Sequence, residues 1–375
     1  MMHESDEQTP VAAGLTRPLP GPLPEGPPAG VDNTIQIHLS PNRRAWARFR
    51  RNRIGYVSFW IFLALLVVSA ISPLLSNERP LIARYNGNLY FPVIHNPPET
   101  TFGGEFLSAT DWLDPFVKEQ FAKDGNWALF TLNRFSADTI DFQALPPNPA
   151  PPSRLNWLGT DPGGRDILAR LVFGFSVSIA FALILTVIGT VLGIVAGAVQ
   201  GYFGGWTDLI GQRLIDVWSA LPYLYILIIL VSVFVPSVGL LIVLFSLFGW
   251  VELSTYVRAE FLRNRSLEFV KAARAMGFSN WHIMRRHILP NSLTPVITFL
   301  PFRMSEAILG LTALDFLGLG VPTSVPSLGE LLRLGKENLD AWWIATMTFL
   351  VLVITLLLLT FVGDALRDAF DTRKS

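Results

Sequence analysis

Arg303 and Glu306 stand one helical turn apart inside an otherwise apolar run, 293–314. A charge at the centre of a bilayer costs about 2.5–3.5 kcal/mol on insertion scales, so such groups face a water-filled cavity or each other. The i, i+3 spacing lets the two side chains meet. Two uses follow: lining a path and holding the charged ends of a solute, or neutralising each other where the helix meets a neighbouring subunit. The remaining chemical inventory is sparse. The chain has no Cys, which removes disulfides, thiolate metal sites and thiol nucleophiles. No HExxH and no GxSxG occurs. Gly363-Asp364 matches half of an aspartyl GxGD site, with Phe361 in place of the first Gly. The nearest approach to a GxxxxGK[ST] phosphate loop is 329–337, which has one residue too many and no Ser or Thr. An intramembrane hydrolase is therefore set aside, and energy for any work must come from outside the chain.

The elements that must carry this pair are membrane spans. Of 375 residues, 51% are hydrophobic and 15% charged, against about 25% charged in soluble domains. Lys+Arg and Asp+Glu balance at 29 each, which excludes a basic nucleic-acid-binding surface. A span needs about 20 mostly apolar residues. Six segments qualify: 54–75, 175–199, 215–235, 238–256, 293–314 and 342–362. The expected fold is an all-α polytopic membrane protein with six transmembrane helices. Arg43, Arg44, Arg48, Arg50, Arg51 and Arg53 precede the first span, so the N-terminus is expected in the cytoplasm, and six crossings return the C-terminus there. The connection between the fourth and fifth spans carries seven cations (Arg258, Arg263, Arg265, Lys271, Arg274, Arg285 and Arg286) and falls on the cytoplasmic side in this topology.

Residues 1–40 are crowded with Pro and Gly, hold no apolar signal segment, and read as a disordered cytoplasmic tail. Ser40-Pro41 caps a basic helix over 41–53, with Trp46 and Phe49 on its apolar side, expected in the inner headgroup layer. Residues 76–157 form an aromatic-rich insert on the outer side, read as a small folded lid. Within it, Leu89-Tyr90-Phe91 and 127–132 read as short strands. Its use is open between docking an external partner and covering the mouth. Asp161 before Pro162 reads as a helix cap. Gly189, Gly193, Gly197, Gly201 and Gly205 recur every four residues, a stripe that lets another helix approach closely.

The cytoplasmic segment 268–290 reads as two short helices. Phe269 to Met276 is the first, closed by Gly277. Ser279 caps the second, 280–288, which Pro290 limits. A small-residue helix with a cationic rim suits a groove on another protein. At these residues Lys271-Ala272-Ala273, Gly277 and His287-Ile288-Leu289-Pro290 resemble the EAA loop of ABC importer permeases. Three further segments resemble the dipeptide, oligopeptide and nickel branch. They are Leu158-Gly159-Thr160-Asp161-Pro162-Gly163-Gly164-Arg165-Asp166, the stretch 314–322 with Gly318 and Gly320, and the ending 363–371. The insert, with Arg84-Tyr85-Asn86-Gly87 and Trp157, is similar to microcin C and peptide importer permeases within that branch. Lys271 stands where EAA has Glu, His287 where the general pattern has Ile, Asp315 where relatives have Ser, and Leu328 where many have Trp.

The resemblance implies a type I importer permease fold over the core, 158–375, in a bacterial inner membrane. It implies an importer of peptides or peptide-like compounds working with a second permease, two ATPases that hold ATP-Mg, and an external substrate-binding protein. Lys271, Ala272, Ala273, Gly277, His287, Leu289 and Pro290 would couple to the ATPase. Arg303 and Glu306 would line the translocation path and engage peptide termini, or pair at the permease interface. No cofactor or metal is expected on the chain itself. The competing reading, a proton-coupled secondary transporter of peptides, would want an internal repeat and more intramembrane carboxylates than Glu306.

Overall fold

An unbroken apolar run has no register to lose as a helix, and helices set the architecture here. The computed structural model describes residues 41–141 and 148–370. The 1–40 tail with the Ser40 cap, the prolines at 146 and 147, and Asp371 at the end of the last motif lie outside the described residues. Residues Met1–Arg44 and Ala45–Ser375 are separate units. Of the first, only the opening turn of α1 (Pro41–Arg51) is described.

In the second unit, Asn52 caps α2 (Arg53–Ala70), accepting from the Gly55 amide at 3.1 Å. A short α3 (Ser72–Leu75) leads into the insert. There β1 (Ile82–Tyr85) is the central strand of an antiparallel sheet, between β2 (Asn88–Tyr90) and β3 (Trp127–Leu129). Ala83 pairs with Tyr90 on one side and Ala128 on the other. Asn86 and Gly87 carry φ of 47° and 86°, the pair of positive angles that a two-residue hairpin turn requires. With α4 (Pro115–Ala122), the sheet encloses Phe102, whose ring lies 5.2–5.4 Å from those of Tyr85, Tyr90, Trp112 and Phe121. The insert therefore has a core of its own, and the two strands expected from sequence are present with a third between them.

The bundle begins with α5 (Ile167–Phe203). It continues through α6 (Gly205–Ser219), α7 (Tyr223–Val233), α8 (Val238–Ser246) and α9 (Val251–Asn264). Two short helices, α10 (Glu268–Ala275) and α11 (Asn280–Ile283), lead to α12 (Leu289–Phe316), α13 (Leu328–Glu337) and α14 (Trp342–Phe370). Among the described residues five helical stretches are long and apolar enough to cross a membrane, and a sixth if the bent pair α6–α7 counts as one. The third expected span, 215–235, is thus not one helix. It is broken at 220–222 with a bend of 69°, where Pro222 brings no N–H to the ladder. Pro290 does not stop the second hairpin helix either. A π turn at Met284–Ile288 absorbs the missing donor, its Leu289 amide bonding back to Met284, and the helix runs on through Pro295 and Pro301.

Lipid tails are as apolar as Leu, so close backbone approach holds such helices together. Four of the five periodic glycines provide it: Gly193, Gly197 and Gly201 face α9, and Gly189 faces Gly249 and Arg303. A Cβ at Gly193 would lie 3.0 Å from Leu253, one at Gly197 would collide with the Ser254 carbonyl, and one at Gly201 would lie 2.6 Å from the Arg258 carbonyl. The matched positions climb together along both helices, so α5 and α9 run parallel. Gly205 is not part of the stripe. It sits past the helix end at φ 54° with nothing near it.

Candidate functional site

Two irregularities of the bundle meet at one cavity. The first is the α6–α7 break. The second is the turn at 247–250 that separates α8 from α9. Irregular backbone at membrane depth is tolerated where it is buried in protein or lines a water-filled cavity. The cavity measures about 200 Å³, and Trp218, Tyr223, Phe248, Gly249, Arg303 and Glu306 are among its lining residues. Trp218 stacks on Phe248 at 5.4 Å and donates through Nε1 to the Leu247 carbonyl at 2.8 Å. Tyr223 lies 6.2 Å from the Phe248 ring.

The structure brings Arg303 and Glu306 to this cavity without joining them in an ion pair. The Arg303 guanidinium instead donates to the Gly249 carbonyl, which the 247–250 turn has freed. It occupies space that any side chain at Gly189 would take. Its Nε is buried without a partner. Glu306 is exposed.

The coupling candidates lie on a different surface. Ala273 is buried with Val270, Ile283 and Ile288 against Tyr202, Val257 and Phe261, which seats the hairpin on the ends of α5 and α9. Gly277 closes α10 at φ 80°. Ser279 caps α11 through the His282 amide at 3.3 Å. Lys271, Ala272, Gly277 and Pro290 are exposed, while His287 and Leu289 are half-buried. Lys271 pairs with Glu268 at 2.8 Å. The His287 Nε2 is buried with no partner. Met276 and Trp281 stand out at 69% and 67% exposure beside Arg274, Arg285 and Arg286, giving the hairpin an apolar tip with a cationic rim.

The signature segment 159–166 is a structural knot. Asp161 does not cap a helix at Pro162. Gly164 sits at φ 77°, outside any right-handed helix, and Asp161 Oδ1 closes a turn by accepting from the Gly163 and Arg165 amides at 2.8 and 3.0 Å. Asp166 is the cap of α5, accepting from Ala169 at 2.8 Å and from the side chains of Asn133 and Asn156. Thr160 accepts from the Ala150 amide at 2.8 Å, and Gly159 takes φ 77°. Arg165 pairs with Asp161 at 2.8 Å. Fully buried Arg170 lies between Asp161, at 3.6 Å, and Glu330 of α13, at 2.5 Å. Burial pushes the Asp166 and Glu330 carboxyls above their ordinary range, against the pull of their hydrogen-bond donors. Gly318 turns the chain at φ 76° after α12, and Gly320 leaves room for Asp315, whose carboxylate accepts from the Val321 amide at 2.7 Å. None of these groups is among the cavity's lining residues. Among the described residues no cluster suits a metal.

Sequence reasoning found the charge pair but not the cavity's other walls. Pro222 was the one local signal for Trp218 and Tyr223. Gly249 carried none.

Residues 189–375 match the family described as the binding-protein-dependent transport system inner membrane component, and residues 40–98 match the N-terminal TM domain of oligopeptide transport permease C. The chain is 49% identical over 338 residues to the inner membrane ABC transporter permease protein YejE of Escherichia coli, covering 90% of this chain and 99% of that one. It is 43% identical to the peptidoglycan transport system permease protein YejE of Agrobacterium fabrum, covering 93% and 98%. It is 32% identical to the dipeptide transport system permease protein DppC of Bacillus subtilis, covering 92% and 89%.

Proposed function

The chain belongs to the family of binding-protein-dependent transport system inner membrane components and is a multi-pass permease subunit of an ABC importer with the type I fold; we propose that its cargo is peptides or peptide-like compounds, of the oligopeptide and microcin C type. The relatives' names support the cargo class. The observation that carries the transport reading is the cavity where the α6–α7 break, the 247–250 turn and the Arg303–Glu306 pair converge. In this reading both termini and the 268–290 hairpin face the cytoplasm, and the insert faces outward. A second permease completes the path. Two ATPases holding ATP-Mg grip the hairpin through Lys271, Ala272, Gly277 and the exposed Met276. An external binding protein delivers cargo to the insert side.

Closing of the ATPases would move the hairpin as a unit, because Val270, Ala273 and Ile283 are packed under α5 and α9. The test has two parts. The tagged chain, purified from its own membrane, brings ATPase subunits with it. Gly277→Pro, which cannot take φ 80°, inserts normally but loses cargo-stimulated ATP hydrolysis in the reconstituted complex. Normal coupled turnover by that variant refutes the hairpin's role. Uptake by the purified chain alone, driven by a proton gradient without nucleotide, would favour the secondary-transporter reading instead.

A further inference from the structure

The two charges of the cavity are not equivalent. Arg303 is committed: its guanidinium donates to Gly249 and is walled in beside Gly189. Glu306 is uncommitted, since among the described residues no hydrogen bond or ion pair engages its carboxylate, and it is exposed where it lines the cavity. A second carboxylate, Glu252 in the first turn of α9, is close enough to act electrostatically on both. The carboxyl groups near this point of the cavity therefore outnumber the immobilised Arg303. The same cavity is lined by the rings of Trp218, Tyr223 and Phe248, and aromatic faces attract cations. A free carboxylate in an aromatic-lined cavity is recognition chemistry for an ammonium group, whereas Arg303, the only cation among the described lining residues, is turned toward backbone.

On the reading that this cavity belongs to the cargo path, we propose that Glu306 is the acceptor for a primary ammonium of the cargo, and that Arg303 is a positioning residue which holds the 247–250 turn. The ammonium has two sources, a peptide amino terminus or a lysine side chain. The experiment uses the complete transporter in proteoliposomes, with its binding protein and ATP, and three cargoes: Ala-Ala-Ala, acetyl-Ala-Lys-Ala and acetyl-Ala-Ala-Ala. Uptake by Glu306→Gln and Glu306→Asp is expressed relative to the unaltered complex for each cargo, which cancels the binding protein's own preference.

Glu306→Gln is expected to lose at least tenfold for one or both ammonium-bearing cargoes while acetyl-Ala-Ala-Ala changes less than twofold. Glu306→Asp retains most of the uptake. Loss with the first cargo alone assigns the amino terminus, and loss with the second alone assigns the side chain. Equal fractional loss with all three cargoes, or no loss with any, overturns the proposal but leaves the importer reading standing. Absence of ATP-driven uptake of every cargo by the unaltered complex overturns both. Arg303→Met is expected to lower all three cargoes alike, and a selective loss in that variant also overturns the division of roles.

Discussion

Arg170 has no exposed surface and sits between two carboxylates contributed by different elements, Asp161 and Glu330. Removing one partner of such a buried set leaves the others charged and desolvated, a loss of about 3–5 kcal/mol. Arg170→Met should lower the thermal midpoint of the detergent-purified complex, and adding Glu330→Leu should recover much of the loss. An unchanged midpoint in the single variant would show the set to be energetically idle. The residue types at 159–166 were legible as a unit, but their roles were not. Asp161 before Pro162 has the composition of a helix cap, and only the positive φ of Gly164 makes it a turn instead. The partner of Arg170 lies 160 residues away, beyond the reach of any local pattern. The charge pair was legible because four residues of one helix contain it. Its separation into one committed and one free group was not, because the Gly249 carbonyl comes from the distant turn between α8 and α9.

Among helices, the α5–α9 seam has the most specific demand. A side chain at Gly197 would strike the Ser254 carbonyl, so Gly197→Val should push the pair apart and markedly reduce the yield of assembled complex on size-exclusion chromatography. Gly239, with open space around it, is the control, and Gly239→Ala should be neutral within about 0.5 kcal/mol. Equal behaviour of the two variants would remove the seam's importance. The four-residue period was readable because i and i+4 share a face, but neither the partner nor the parallel direction is written in α5. Proline shows the limit from the other side. Pro222 coincides with a break, while Pro295 and Pro301 stand inside a continuous helix. The residue removes one donor in every case, and neighbouring packing decides whether the helix bends. In the insert, Asn86-Gly87 was a hairpin signal available from sequence, and it accounts for the strand, β1, that sequence reading passed over.

At the scale of the whole molecule, a small folded insert is grafted onto a helical bundle. The insert's core centres on Phe102 and Trp112, and the Trp112 indole donates to Asn96 at 2.9 Å. Trp112→Ala should cost the insert about 3–5 kcal/mol. The expected readout in membrane vesicles is faster proteolysis within 76–141, with the spans intact and the ATPase subunits still co-purifying. Loss of the whole chain instead would show that the bundle depends on the insert. The long apolar helices were legible from hydropathy, with the third expected span broken into a bent pair, yet the way the bundle closes was not. Gly55 of α2 lies directly against Ala365 of α14, and Phe49 is buried with Ala365 and Ala369. The first span to leave the ribosome thus waits for the last. Ser176 of α5 reaches the Ser69 carbonyl of α2 early, but at about 5–20 residues per second the roughly 270 residues between Ala70 and Trp342 leave the Gly55 notch of α2 unfilled for about 15–50 s. A chain cut short before α14 leaves that notch facing lipid, so the arrival of α14 is the step that closes this side of the bundle.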